Sequence, residues 1–214
     1  HPLCDYNTLL DWWANHSYGK QVYIGHGIYR TSENPTPAWR KPDELPEEIR
    51  ELRNYSSVQG SVYFSCKNIL ANPNGWYDSL QRNYYASPAL IPPMDWIDTE
   101  APEKPIIENI AENNNANFPA FNLYVRTASQ ETEEVKTYAV YISDNLATLN
   151  TKPAFLFSKE TNAKQQIVIG FKEIPAEWQQ CYLSITAVDK ENNESELSTA
   201  IQLLKTTKGW KIKK

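Results

Sequence analysis

The sequence predicts an α/β portion followed by an all-β portion, and three observations carry that reading. Five of the seven glycines, all three histidines and five of the seven tryptophans lie before residue 97, so the composition changes there. Before that point helical and strand patterns alternate as α, β, α, β, α, with nearly continuous apolar strands, the grammar of a parallel sheet covered by helices. After residue 105 the chain breaks into short strands separated by turn-forming stretches such as "ENNNAN", "SDN" and "KENNES", which predict an antiparallel sandwich.

In chain order, "DYNTLLDWWANHSYG" places Tyr6, Leu9, Leu10 and Trp13 at i, i+3, i+4 and i+7, with Asp5 as N-cap and Gly19 as a stop. The apolar run "QVYIGHGIYR" then predicts a strand, with a long loop after it. "ELPEEIRELRNY" predicts a helix whose Leu45, Ile49 and Leu52 share one face while acids crowd its first turn. "VQGSVYFSC" predicts the second strand, "KNILANP" a loop, and "NGWYDSLQRNYY" a helix capped by Asn74 with Trp76, Leu80 and Tyr84 on one stripe. Loops leaving the strands are long and those entering them are short, the asymmetry of a β/α barrel whose active face lies at the carboxyl ends of its strands. Two parallel strands alone expose their edges, so this portion is expected to be a fragment or to pair with another chain.

The proline-rich run "SPALIPPMDWIDTEAPEKP" reads as a semi-rigid linker with a boundary near Asp98. Domains are therefore expected at 1–97 and 106–204, with 98–105 between them and 205–214 as a basic tail. Seven strands are predicted, at residues 104–110, 118–127, 136–143, 154–158, 165–171, 180–189 and 199–204. In "CYLSITAVD" the inward set is Cys181, Leu183, Ile185 and Ala187, leaving Tyr182, Ser184 and Thr186 outward.

Charge narrows the function. The 214 residues carry a net charge of -5; residues 1–100 hold 8 Lys+Arg against 12 Asp+Glu, and residues 101–204 hold 8 against 14. Phosphate backbones require clustered cations on a folded face, so nucleic acid is not an expected partner. The five lysines of 205–214 read as a solvated end. No apolar run approaches the roughly 20 residues that span a bilayer. Cys4, Cys66 and Cys181 are odd in number and lack C-x-x-C spacing, which argues for free thiols over a zinc site or disulfide framework. No cofactor is expected. The first residue is His1 rather than Met, the expectation being a processed chain or a segment of a longer one.

Two resemblances follow from these stretches. "YLSITAVDKENNESELS", with the "DTEAPEKP" lead-in, resembles the penultimate strand and turn of a fibronectin type III domain across residues 101–204. One departure is plain, since the corner tyrosine of that family falls on Cys181. "DYNTLLDWWANHSYGKQVYIGHGIYR", "LPEEIRELRN" and "VQGSVYFSCKNILANPNGWYDSLQRNYYASPALIPPMDW" resemble the last third of the glycoside-hydrolase-like 10 (YngK-like) family of bacterial envelope proteins. That resemblance implies the C-terminal portion of a TIM-type barrel, export to the cell envelope (periplasm or outer surface), and hydrolysis of peptidoglycan glycan or another polysaccharide. The upstream barrel segment becomes an expected partner, alongside self-association through open sheet edges. Export would also permit a Cys4–Cys66 bridge.

Glycoside hydrolysis needs two carboxylates flanking the scissile bond. Neither strand ends on one, and Glu33, Asp43 and Glu44 read as solvated or helix-favouring, so no catalytic residue is assigned and the segment alone is expected to be inactive. The expected sugar-facing residues are His26, Tyr29 and Arg30 closing the first strand, Ser65 and Lys67 closing the second, and Trp39 in the loop. Tyr63 and Phe64 are divided between wall and core. The ring faces suit sugars, and His, Ser and Lys suit hydroxyls. The alternatives are a non-catalytic carbohydrate-binding or surface module, and a plain spacer role for the sandwich.

Overall fold

The computed structural model describes residues 5–33, 37–113, 120–126, 135–161, 166–170, 174–207 and 209–213. It has mixed helix and sheet and divides into two compact units at Ala86/Ser87. Residues 87–105, read from their prolines as a linker, thus lie within the second unit. No helix among the described residues is long and apolar enough to cross a membrane. Cys4, and with it the Cys4–Cys66 pairing, lies outside the described residues.

In the first unit α1 (Tyr6–Asn15) starts at Asp5, whose Oδ2 accepts from the Thr8 amide at 3.1 Å. Its buried stripe is Leu10 and Ala14 with Tyr6; of the predicted Tyr6, Leu9, Leu10 and Trp13, Leu9 is 45% and Trp13 53% exposed. The short connection through Gly19, whose φ of 73° suits a residue without Cβ, leads into β1 (Val22–His26). This strand is shorter than predicted, because Ile28–Thr31 turns into a 3-10 helix. Tyr29 and Arg30 therefore sit on that turn and do not close the strand.

Helix α2 (Glu44–Leu52) buries Leu45, Ile49 and Leu52 as its periodicity predicts. Strand β2 (Val58–Tyr63) runs parallel to β1, pairing His26 with Tyr63. The stretch predicted as a loop begins with α3 (Cys66–Leu70), so Lys67 is helical and Ser65 occupies its N-cap position. In α4 (Trp76–Ser79), continued by a π turn at Leu80–Tyr84, the capping side chain is Asn72 rather than Asn74: its Oδ1 accepts from the Tyr77 amide at 3.0 Å. Asn74 reaches the Trp39 carbonyl instead, at 3.3 Å. Trp76 and Leu80 are buried as expected.

Alternation along the two parallel strands sends Val22, Ile24, His26, Ser61 and Tyr63 to the helix-covered face. Tyr23, Val62 and Phe64 lie on the opposite face and are exposed. A Cβ on Gly60 would come within 3.3 Å of the Tyr23 ring, which lies over it.

The second unit holds a three-stranded antiparallel sheet, β3 (Ile106–Glu112), β4 (Ala120–Arg126) and β7 (Gln166–Gly170), in that order. A five-stranded antiparallel sheet has β10 (Gly209–Ile212), β9 (Ile201–Thr206), β8 (Gln180–Val188), β5 (Thr137–Ser143) and β6 (Leu156–Thr161). Leu123 and Ile169 of the first sheet meet Val140, Leu183 and Ile185 of the second in one core.

Ser184 and Thr186, predicted outward, are fully buried beside Cys181, Leu183, Ile185 and Ala187. Residues 194–198 return over that face and satisfy their hydroxyls: Ser184 donates to the Ser198 carbonyl at 2.7 Å and Thr186 to Glu194 Oε1 at 2.7 Å. Tyr141 donates to the same Glu194 oxygen at 2.5 Å, so a tyrosine does tie strand to turn, from β5 rather than from position 181. Burial, then the nearby Asp144 charge, pushes the Cys181 thiol up to about 12, which leaves it unreactive.

The tail is not a solvated end. Its β10 pairs with β9, Trp210 and Ile212 pack against the core, and Lys211 is ion-paired with Glu112. Truncation after Thr206 is expected to lower the stability of the second unit by roughly 2 kcal/mol, the scale of uncovering one large apolar side chain. Urea unfolding of the truncated and full chains checks this, and coincident curves would contradict it.

Candidate functional site

The carboxyl end of β1 opens into a cavity of about 970 Å³. Elements near in sequence converge on it because α1 and α2 both pack their apolar stripes on the same sheet face, leaving the first turn of each beside the strand end. Tyr6 comes from α1, Glu44 and Glu48 from α2, Tyr29 and Arg30 from the 3-10 turn after β1, and Trp39 from the loop before α2.

His26 lies at the floor and is 2% exposed. Its Nδ1 is 2.6 Å from Glu48 Oε2 and its Nε2 is 3.1 Å from Ser61 Oγ. A carboxylate can only accept, so Nδ1 carries the proton towards Glu48. The ring stacks on Tyr63, with centroids 5.4 Å apart and planes 17° from parallel, and on Tyr6 at 6.3 Å. Both nitrogens are thus spent inside the protein, and His26 orients Glu48 rather than presenting a free donor to a ligand. Burial, then the charges of Glu48 and Glu51, raises the Tyr6 hydroxyl, which stays protonated and donates to the Glu48 carbonyl at 3.0 Å. Burial likewise raises the Tyr63 hydroxyl, which lies 2.7 Å from that of Tyr85.

The rim is aromatic and charged. Tyr29 meets Phe64 edge to face at 5.9 Å, the Arg30 guanidinium lies 5.9 Å from the Tyr29 ring centre, and Trp39 meets the buried Trp76 at 6.0 Å. Glu44 has its carboxyl raised above the ordinary range by burial first, then by Glu48, with Lys41 opposing and Glu47 adding. Such a group holds its proton at a pH where most glutamates have lost theirs. Carbon-detected NMR titration is expected to show Glu44 ionising above the ordinary glutamate range, and Glu48→Gln to move it back down by removing that neighbouring charge. An unmoved midpoint would show that Glu48 does not reach it.

Of the residues picked from sequence, His26, Tyr29, Arg30 and Trp39 come together at this cavity. Ser65 and Lys67 do not line it: Ser65 donates to Asn68 Oδ1 at 2.6 Å within α3, and Lys67 is exposed. Tyr63 turns to the helix side and Phe64 to the cavity. Sequence reasoning missed Glu48 and Tyr6. A signal for Glu48 existed: it lies three residues after Leu45 and four before Leu52, inside the apolar stripe, and a charge there demands a partner.

In the second unit Asp98, Asp189 and Glu191 bring carboxylate oxygens within 4.8 Å of one another. Both Asp189 oxygens accept from Asn193, at 2.8 Å from its amide and 3.0 Å from its side chain, which makes Asp189 a turn-closing residue after β8.

No protein-family model matches the chain. The curated "Glycosyl hydrolase YngK" of Bacillus subtilis (strain 168) is 32% identical over 195 residues, 90% of this chain and 37% of that protein. Among solved structures, a β-1,2-glucanase from Parabacteroides distasonis overlaps 54% of this chain and 14% of its own, at 17% identity and a TM-score of 0.35. The spore cortex lytic enzyme SleM of Clostridium perfringens overlaps 93% of this chain and 75% of its own, at 12% identity and a TM-score of 0.32. Neither score establishes a common fold. The chain spans little more than a third of the curated relative it matches, and over nine-tenths of its own length it is glycosyl-hydrolase-like in sequence.

Proposed function

We propose that the chain is the C-terminal portion of an exported glycoside hydrolase acting on polysaccharide of the bacterial envelope. In this reading β1 and β2 are the last strands of a β/α (TIM-type) barrel, and the second unit is a fibronectin type III-like sandwich that serves as an accessory module. The observation that carries it is the 32% identity with a glycosyl hydrolase along 90% of the chain. Two features of the structure support it: a parallel strand pair covered by helices on one face with an aromatic cavity at its carboxyl end, and sheet orders β3-β4-β7 and β10-β9-β8-β5-β6 around one core. Trp39, Tyr29 and Phe64 offer ring faces to the apolar faces of sugars, and Arg30 and Glu44 offer polar contacts to hydroxyls.

β1 and β2 end without carboxylates, so the reacting pair is assigned to strands of the longer parent protein. The chain by itself is expected to release no new reducing ends from peptidoglycan glycan or other polysaccharides, whereas the longer parent releases them. In the parent, Trp39→Ala is expected to raise KM about tenfold, on the order of 1.4 kcal/mol of stacking. Turnover by the chain alone would overturn the assignment of the carboxylates. The absence of a carboxylate at either strand end also favours a second reading, a non-catalytic carbohydrate-binding module. A parent that binds glycan saturably without cleaving it would select that reading.

A further inference from the structure

Trp12, His16 and Tyr18 stand together on the outside of the first unit, and none of them lines the cavity. Trp12 lies about 200° round α1 from the buried Leu10, so its indole points away from the sheet. It is 50% exposed, and further strands beside β1 or β2 would leave that face outside. The His16 imidazole stacks on the indole, with centroids 4.3 Å apart and planes 15° from parallel. Its Nδ1–H donates to the Trp12 carbonyl at 2.6 Å, which fixes the angle of the ring. Tyr18 meets His16 edge on, at 6.1 Å. Packing does not account for Tyr18. It is 83% exposed, and its φ of 51° is a left-handed conformation that Asn or Gly adopts readily and a bulky side chain rarely does. A strained residue that buries so little of its ring marks a place where the ring itself is used.

We propose that Trp12, His16 and Tyr18 form a second sugar site, outside the cavity, which holds the apolar face of a pyranose ring in an uncharged glycan chain. The choice of a glycan rests on the hydrolase reading of the parent; the site itself does not. Aromatic rings suit the apolar faces of sugars, and the Trp12 indole N–H and His16 Nε2 add a donor and an acceptor for hydroxyls. Charge favours a neutral ligand. Asp11, beside Trp12, and Lys20, two residues after Tyr18, carry opposite signs, whereas a phosphate or an anionic lipid surface requires clustered cations. Size argues against a protein partner. With Trp13 set edge-on against Trp12 at 4.9 Å, the exposed rings amount to roughly 400 Å², half of the ~800 Å² that each partner of a stable protein pair buries. A patch of that extent matches one or two sugar units.

Proton–nitrogen NMR of this chain, following the indole signal of Trp12 as chitohexaose or cellohexaose is added, tests the proposal. Both probes are uncharged. The signal is expected to shift saturably, and to do so equally in Trp39→Ala, which removes a ring from the cavity rim. In that background Trp12→Ala is expected to weaken binding about tenfold while leaving the melting temperature nearly unchanged. Tyr18→Asn is expected to weaken binding several-fold and to raise the melting temperature, because Asn tolerates the left-handed backbone. A residue with a purely structural role would not move the two in opposite directions. A Trp12 signal unmoved by either glycan overturns the proposal. So does a signal that moves with protein concentration alone, because the rings then face a second copy. A chain that binds glycan through Trp12 while the parent cleaves none keeps the site and sinks the enzyme reading; a parent that cleaves glycan while the Trp12 signal stays unmoved does the reverse.

Discussion

Glu48→Ala is expected to destabilise the first unit by about 2–3 kcal/mol, the cost of leaving the buried His26 Nδ1 donor without its acceptor. The side chains of His26 and Glu48 are 0% and 11% exposed, so water does not replace the lost carboxylate at Nδ1. The ring cannot swing to another acceptor, because Tyr63 and Tyr6 stack on it and Nε2 is held by Ser61. Glu48→Gln keeps an oxygen that accepts from Nδ1–H, so its loss is expected to be distinctly smaller. Urea unfolding followed by tryptophan fluorescence separates the two variants. Equal losses would mean that the carboxylate acts through its charge alone, and no loss in either would mean that the pair does not hold the strand end to α2. With whole-domain stabilities of only about 5–15 kcal/mol, the loss in the alanine variant is a sizeable share of the total.

Trp76→Ala is expected to cost about 3–5 kcal/mol, the range for deleting a buried tryptophan. The residue is 1% exposed, touches the cluster of Ile28, Leu45, Ile49 and Leu80, and donates its indole N–H to the Pro42 carbonyl at 2.6 Å. It thereby clamps α4 to the segment that leads into α2 and supports the Trp39 ring at the cavity rim. Trp76→Phe retains most of the apolar contact and loses the hydrogen bond, about 1 kcal/mol. A thermal melt that ranks alanine well below phenylalanine bears this out. A phenylalanine variant as damaged as the alanine one would place the weight on the hydrogen bond instead.

How much was legible depended on whether the signal was local. Leu45, Ile49 and Leu52 sit at helical spacing on a helix with acids in its first turn, and all three are buried. Asp5 caps α1 because a carboxylate just before an amphipathic run meets the free amides of the first turn. The misses share a cause, which is that alternation says which residues share a face and not whether anything covers that face. Ser184 and Thr186 read as outward, yet a later stretch of chain folds over them. Leu9 and Trp13 read as inward, yet they remain about half exposed. For the site, the sequence pointed to His26, Tyr29, Arg30, Trp39, Ser65 and Lys67, of which the first four line the cavity. It hid Glu48, because the partner of that residue lies twenty-two positions away on a strand.

The sequence by itself determined the order and kind of most elements, α3 and β10 excepted, together with the parallel character of the first strands and the antiparallel character of the later ones. Each follows from the period of apolar residues and the turn chemistry between them, both local properties of the chain. Only the tertiary structure decided which way His26 faces. Its position at the end of β1 suggested a ligand contact, but the strand's alternation and the packing of α2 turn the ring to the helix side, where Glu48 and Ser61 take both nitrogens. The tertiary structure likewise decided that the lysine-rich end is a strand, since pairing with β9 and burial of Trp210 outweigh the solvation its charges favour.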